Sequence, residues 1–319
     1  MHFAFTEEQR QIQDAVRGML TKECTPEVVR AGATGVWSQL AELGVLGMNI
    51  SEDHGGMGLG GCDWVLLCEE AGRAALPLAL TETLALGPIL ADAGSVELAE
   101  AVAEGRARVT VGRHFFVDAD EAQTIFRLDG DTLSLMSDPT CVAAESVNDS
   151  RRIFTVTGPS RALDVDGAGV LNRLLVGTAA ELLGLAEKQL DLAVAYAKER
   201  RQFGKPIGAF QAIQHHLANA LLALRFAKPV VYRAAFFLSS GDPDLSIHAA
   251  MAKSKAADAA YAVRRLALQV HGAIGYAHEY DLHLWMKRSM ALEAAWGGAG
   301  AQRARIATAL NLPLETTHA

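Results

Sequence analysis

The hydrophobic period of this chain changes twice, and the stretch between the changes is short. Up to about residue 104 apolar residues recur every three to four positions. Phe5, Gln9, Ile12, Val16 and Met19/Leu20 mark one stripe, and Thr6 stands as a cap with Gln9 at its third helical position. Further helices are expected over Val36–Leu43, closed by Gly44, over Cys62–Arg73, bounded by Pro77, and over Glu82–Ala91 and Ser95–Val102. The pattern then turns β-rich at Arg108–Phe116. Thr124–Leu135 carries Asp129-Gly130-Asp131 at its centre, a tight-hairpin signal, and Arg151–Thr157 alternates up to Gly158-Pro159. From Ala168 the helical period returns, with stripes at Leu182, Leu185, Ala186, Leu190, Ala193 and Ala197, then at Phe210, Ile213, Leu217, Leu221 and Leu224. A long Ala-rich helix follows over Asp244–Gly272. A last helical pattern, Leu282–Leu310, breaks at Gly297-Gly298-Ala299-Gly300. The expectation is a mostly α fold with a small β subdomain: an N-terminal helical domain over 1–104, a β domain over 105–162 and a C-terminal helical bundle over 163–319.

The composition narrows the function. Half of the 319 residues are hydrophobic, which suffices for a sizeable core and excludes a disordered chain. The net charge of −8 argues against a nucleic-acid partner, so an anionic ligand must be met by a local basic site. No run of 18 uninterrupted apolar residues occurs, and the N-terminus lacks the basic-then-apolar order of a signal peptide. Cys24, Cys62, Cys68 and Cys141 form no C-x-x-C pair and read as reduced thiols of a cytoplasmic protein.

Several motifs fall to plain readings. Gly56-Met57-Gly58-Leu59-Gly60-Gly61 satisfies G-x-G-x-x-G, with Glu82 downstream, but helices precede it and no βαβ unit surrounds it; it reads as a flexible loop between helices. His215 and His216 point about 100° apart on a helix and cannot share a metal. No metal site and no G-x-S-x-G nucleophile is expected. The segment from Glu199 to Gln211 (ERRQFGKPIGAFQ) is different: a helix ends in a basic cluster, turns through Phe-Gly-Lys-Pro, and a new helix opens. Arginine at such an end either clamps a phosphate ester or complements the helix dipole, and the segment alone fits both.

Three ordered blocks resemble the acyl-CoA dehydrogenase family. Leu40–Gly47 followed by Glu52–Gly58 is similar to its N-terminal signature. Tyr196–Gln214 nearly completes its R-x-Q-F-G-x-P-I…Q block, and Gln269–Tyr276 resembles its Q-x-x-G-G-x-G-Y block. The resemblance implies a helical domain, a β domain and a four-helix bundle assembled as a dimer of dimers, with FAD across a subunit interface. It assigns Arg200, Phe203, Gln211, Gln269 and Gly272 to the ADP half of a flavin held mainly by a neighbour. Ala273 stands where the family has its second glycine.

Two departures matter. The family reaction removes an α-proton from an acyl-CoA thioester while hydride leaves the β-carbon for flavin, and the proton step needs a carboxylate. One family position for that Glu lies 27 residues after Gln269, at Trp296; the other precedes Arg173, at Asn172. Indole is a donor only and an amide is no base, so no catalytic residue is assigned to this chain. The second departure is the β stretch, roughly half the family's length. It lacks the T-E-P-x-x-G-S-D loop and the Trp-bearing strand that hold the flavin ring, which makes it a truncated β domain. The pattern resembles the small, non-catalytic subunit of a heterotetramer with a larger catalytic acyl-CoA dehydrogenase subunit, of the kind that degrades steroid side chains in bacteria. Alternatives are a homotetramer with a displaced base, Glu293 or Glu181, or a scaffold that binds no flavin.

Overall fold

The computed structural model describes residues 4–33 and 35–313. The N-terminal helices are α1 (Glu7–Glu23), α2 (Pro26–Arg30), α3 (Val36–Glu42), α4 (Gly61–Arg73), α5 (Leu80–Leu86), α6 (Leu90–Ala93) and α7 (Val96–Ala103). Seven strands follow: β1 (Val109–Gly112), β2 (Phe116–Val117), β3 (Thr124–Asp129), β4 (Thr132–Met136), β5 (Thr140–Ala144), β6 (Ile153–Thr157) and β7 (Ser160–Ala162). The rest is α8 (Gly167–Glu199), a two-residue hairpin of β8 (Arg201–Gln202) and β9 (Lys205–Pro206), α9 (Gln211–Ser240), α10 (Leu245–His271), α11 (Leu282–Ala294) and α12 (Ala299–Ala309). The fold is mostly helical with a small sheet region, as the period changes imply.

Local chemistry sets the ends. Thr6 accepts from the Gln9 amide while the Gln9 side chain accepts from the Thr6 amide, the reciprocal cap expected at α1. Asp129 pairs with Thr132 across Gly130-Asp131, and only Gly130 takes a left-handed φ, +60°, the type II′ arrangement. The strands form two small sheets, ordered β1-β3-β4-β7 and β2-β6-β5, with β1 and β3 parallel. That parallel pair and the separate strand β5 were not legible in the sequence.

The bundle is built on α8, which packs on α4, α9, α10 and α11. Its contact with α4 is backbone-close: a Cβ at Gly184 would lie 1.8 Å from the Glu69 carbonyl oxygen, and one at Gly72 2.0 Å from that of Glu181. On α10 the alanines at 249, 252, 256, 259 and 260 are all buried. By length and composition α8 could cross a membrane, but 89% of its most apolar window is buried in the core.

Three expectations are corrected. The helix over Glu82–Ala91 is broken into α5, a 3-10 turn at Gly87–Ile89 and α6, because Pro88 has no amide to continue the ladder. The Gly56 loop is fixed rather than flexible: Gly56, Met57, Gly58 and Leu59 each donate a backbone bond to the 47–51 segment, and a Cβ at Gly56 would meet the Ile50 carbonyl at 2.2 Å. Arg151 lies outside its expected strand, pairing with Glu82 at 2.6 Å, both buried. Glu82, the acidic residue of the nucleotide pattern, is therefore part of the core. Nearby, Arg288 of α11 binds Glu181 of α8 at 2.7 Å, so one buried ion pair joins α5 to the β region and a second joins two helices of the bundle. The four cysteines are free thiols, and burial pushes Cys24 up to about 12.

Candidate cofactor edge and the vacant base positions

Five residues were expected to meet the ADP half of a flavin. The structure sets them on the elements around one end of the bundle, held by a small separate core. Ala193 and Ala197 of α8, Ala267 and Val270 of α10, and Leu282 and Met286 of α11 form that core, with Tyr196, Ile207, Ile213 and Leu217 packed against it. Arg200 caps α8 with an extended backbone and accepts from the Ile207 amide at 2.8 Å, which ties the β8–β9 hairpin back to the helix end. The hairpin tip is Phe203-Gly204, at φ +50° and +80°. The Phe203 ring is 92% exposed, with Phe210 edge-on at 6.1 Å and Lys205 Nζ 4.4 Å over the Phe210 ring. A left-handed backbone at a bulky residue costs energy, here to project an aromatic ring outward. Gln211 is the first residue of α9 and is exposed.

Gln269 and Gly272 line a groove of about 850 Å3, together with His216, Tyr261, Arg264, Arg265 and Tyr276. Arg200, Phe203 and Gln211 do not line it; they form the neighbouring corner of the same bundle end. Gly272 ends α10 at φ +65°, with open space where a Cβ would stand, so a ligand's backbone contact is unobstructed there. The turn is held by His271, which is 4% exposed. His271 Nδ1 lies 2.7 Å from the Ala267 carbonyl, so Nδ1 carries the proton and Nε2 accepts from the Tyr280 hydroxyl at 3.1 Å. Tyr196 stacks on the same ring at 4.6 Å. Burial pushes the His271 pKa down, so the imidazole is neutral.

The residue set fits the anionic end of a dinucleotide. Arg200 and Arg265 make no ion pair among the described residues, and Arg265 donates only to the Tyr261 hydroxyl at 3.3 Å. Arg264, Arg265, Tyr261, His216 and Tyr276 were missed by sequence reasoning as groove residues. Tyr276 closed one of the matched blocks, and Arg265 stands one helical turn before Gln269, a spacing that puts both on one face.

The two base positions are engaged elsewhere. Asn172 is 6% exposed, and its Oδ1 accepts from Arg305 Nη2 at 3.2 Å. Its neighbour Arg173 donates from Nε to the Ala85 carbonyl at 2.7 Å, and burial pulls it down to about 10. Trp296 sits at the α11–α12 break at φ +59° with its ring against the main core, and its carbonyl accepts from Gln302 Nε2 at 2.9 Å. The carboxylates considered as displaced bases are also held. Glu293 is gripped by Arg264 and Ser289, and Glu181 by Arg288 and Thr81.

Residues 6–108 match the family profile described as acyl-CoA dehydrogenase, N-terminal domain, and residues 168–311 match acyl-CoA dehydrogenase, C-terminal domain. The chain is 32% identical over 294 residues to the acyl-CoA dehydrogenase IpdE2 of Mycolicibacterium smegmatis, covering 89% of this chain and 93% of that one. Its alignment with the probable acyl-CoA dehydrogenase YngJ of Bacillus subtilis, 26% identical, needs 381 positions to cover 97% of this chain and all of the relative. Among solved structures, the Tcur3481-Tcur3483 steroid ACAD G363A variant superposes with a TM-score of 0.87 at 25% identity, over 96% of this chain and 98% of that one. With both terminal domains matched and the fold shared end to end, this chain belongs to the acyl-CoA dehydrogenase family.

Proposed function

We propose that this chain is the non-catalytic subunit of a heteromeric, FAD-dependent acyl-CoA dehydrogenase. A larger partner of the same family would supply the base, the flavin-ring site and the acyl pocket. The observation that carries this reading is the state of the two family base positions: Trp296 and Asn172 offer no proton acceptor, and Glu293 and Glu181 are each bound by an arginine and a hydroxyl. FAD, when bound, would accept the hydride leaving the acyl β-carbon. This chain's part is confined to the other end of the cofactor. Arg200 and Arg265 offer guanidinium groups to a pyrophosphate, Gln211 and Gln269 offer amides, and Gly272 leaves room for close approach. Phe203 would be covered by the partner or by the cofactor it holds.

The short β region supports the same division. Its 105–162 span is proposed as a truncated domain, since full-length relatives such as YngJ align only with many added positions. The substrate class proposed is an acyl-CoA thioester, and the similarity to the Tcur3481-Tcur3483 steroid ACAD favours a steroid side chain. A cytoplasmic complex of two such chains with two larger subunits is proposed.

Co-expression with the larger paired subunit tests the reading. The expected product is a yellow complex with about one FAD per pair of unlike chains, and this chain alone is colourless and inactive. Yellow, active protein from this chain by itself would overturn the proposal.

A further inference from the structure

A second cavity, of about 210 Å3, lies where three parts of the chain meet. Arg30 comes from α2, Asn148, Asp149 and Ser150 from the β5–β6 loop, and His278, His283 and Lys287 from the end of the bundle. Its lining carries an excess of unused donors. Asn148 is 1% exposed; its Oδ1 accepts from Ser150 Oγ at 2.9 Å, and its Nδ2 group is buried without a partner among the described residues. Both ring nitrogens of His283 are buried as well; the backbone of His278 approaches one of them, and the other has no partner among the described residues, although a protonated imidazole carries two N–H groups. His283 stacks on His278 with ring centroids 4.9 Å apart. The charged groups facing it are His278, Arg30 with its partner Asp281, and Lys287 with its partner Asp149. Burial and the cationic His278, Lys287 and Arg30 push the His283 pKa down, against a backbone hydrogen bond to His278 that favours the charged ring.

The two carboxylates do not close the cavity. Asp149 has 72% of its side chain exposed against 33% for Lys287, and Asp281 has 41% against 30% for Arg30. They hold the cations from the solvent side, in exposed pairs of the weak kind. Bound there, a doubly charged tetrahedral oxyanion would replace them and would meet every unused donor at once. A single carboxylate carries one charge against the two cations, and a metal cation would be repelled by Arg30 and Lys287.

We propose that this cavity is a phosphate-binding site, in which Asn148 Nδ2 and a His283 N–H donate to phosphate oxygens that Arg30 and Lys287 neutralise. The ligand is inorganic phosphate or a phosphate monoester whose organic part extends into solvent. The site is independent of the flavin groove and of the subunit reading above. A dianion beside His283 favours the imidazolium, so binding takes up a proton and strengthens as the pH falls.

Calorimetric titration of the full chain tests this, using sulfate as the pH probe because it keeps its double charge between pH 6 and 8. The expected result is saturable binding at one site, several-fold tighter at pH 6 than at pH 8. Lys287→Gln, a change at the partly exposed rim, should weaken it by roughly 10-fold, the scale of one charge-assisted contact. His283→Gln should keep binding but abolish the pH dependence. Inorganic phosphate and glycerol phosphate compared at pH 8 assign the source: tighter binding of the ester assigns a monoester, and equal binding assigns the free ion. No saturation below about 10 mM, or identical affinity in wild type and Lys287→Gln, overturns the site.

Discussion

Arg264 and Glu293 form a two-point ion pair, Nε to Oε1 at 3.2 Å and Nη2 to Oε2 at 3.0 Å. The pair ties the groove to the vacant base position, because Arg264 lines the groove of Gln269 and Gly272, while Glu293 stands three residues before Trp296. Ser289 Oγ adds a third contact to the carboxylate at 2.9 Å. Glu293 is thus the carboxylate nearest in sequence to the family's base position, and its oxygens are already spent on fixing α11 to α10.

Glu293→Gln should therefore cost stability and leave chemistry alone. Both side chains are less than one-fifth exposed, and the lost pair leaves Arg264 partly uncompensated, an expected cost of about 1–3 kcal/mol. Urea denaturation of the chain reads that loss. Turnover of the reconstituted complex should stay within a few-fold, whereas removal of a general base typically costs about 10²–10⁴-fold. A hundredfold drop in turnover with unchanged flavin content would return Glu293 to the reaction.

Lys253 gives a pH signature. It is fully buried on α10, and its Nζ donates to the carbonyls of Glu293 and Gly297 at 3.1 and 3.5 Å, across the α11–α12 break. Burial pulls its pKa from 10.5 down to about 8, with Glu293 opposing. A lysine whose folded pKa is depressed binds fewer protons folded than unfolded between those two values. Its contribution is most favourable above pH 10.5 and is lost as the pH falls through 8. The difference corresponds to about 3 kcal/mol, at roughly 1.4 kcal/mol per unit. Lys253→Met should remove this term, so the stability gap between wild type and variant should move in favour of wild type from pH 8 to 10. A gap that stays flat across that range would show that Lys253 does not titrate there.

Much of the fold was readable because it rests on period and caps. The α1 stripe from Phe5 to Leu20, the Asp129–Thr132 turn and the glycine break after Trp296 are local signals, and each lies where expected. What escaped was set by partners far along the chain. Pro88 broke a helix that the apolar pattern alone would continue. Glu82 read as a helix start downstream of a glycine motif and Arg151 as the start of a strand, yet they meet 69 positions apart in the core. The five cofactor-edge residues could be named from motifs, but the groove itself could not. Tyr261, Arg265 and Gln269 share a face of α10 at four-residue spacing, but His216 joins them only through the packing of α9 on α10.

The Glu181–Arg288 pair should behave as a buried pair does when halved. Arg288 is 1% exposed, its Nε and Nη1 have no partner among the described residues, and burial lowers its pKa despite Glu181. Glu181→Gln should destabilise the chain by about 3–5 kcal/mol, because it strands the guanidinium, while Glu181→Leu with Arg288→Met should recover most of the loss. Thermal melts of the two variants against wild type check this. A double variant as unstable as the single one would mean that the cost comes from packing and not from stranded charge.

Arg200 carries the last expectation, since its guanidinium is exposed at the α8 end and forms no ion pair among the described residues. If it meets a pyrophosphate across an interface, Arg200→Ala should weaken flavin retention by the complex by about 1.5–3 kcal/mol, the range for a hydrogen bond to a charged group. Flavin absorbance after stepwise dialysis reads this directly, without turnover. Arg201 supplies the control: it is the next residue, also exposed, and its guanidinium is turned onto the Gly204 carbonyl at 3.3 Å. Arg201→Ala should cost far less, and the Arg200 effect should shrink as salt is raised, because exposed charges are screened over about 10 Å at 0.1 M. Equal losses from the two substitutions would reduce both to general surface charge and would remove Arg200 from the cofactor edge.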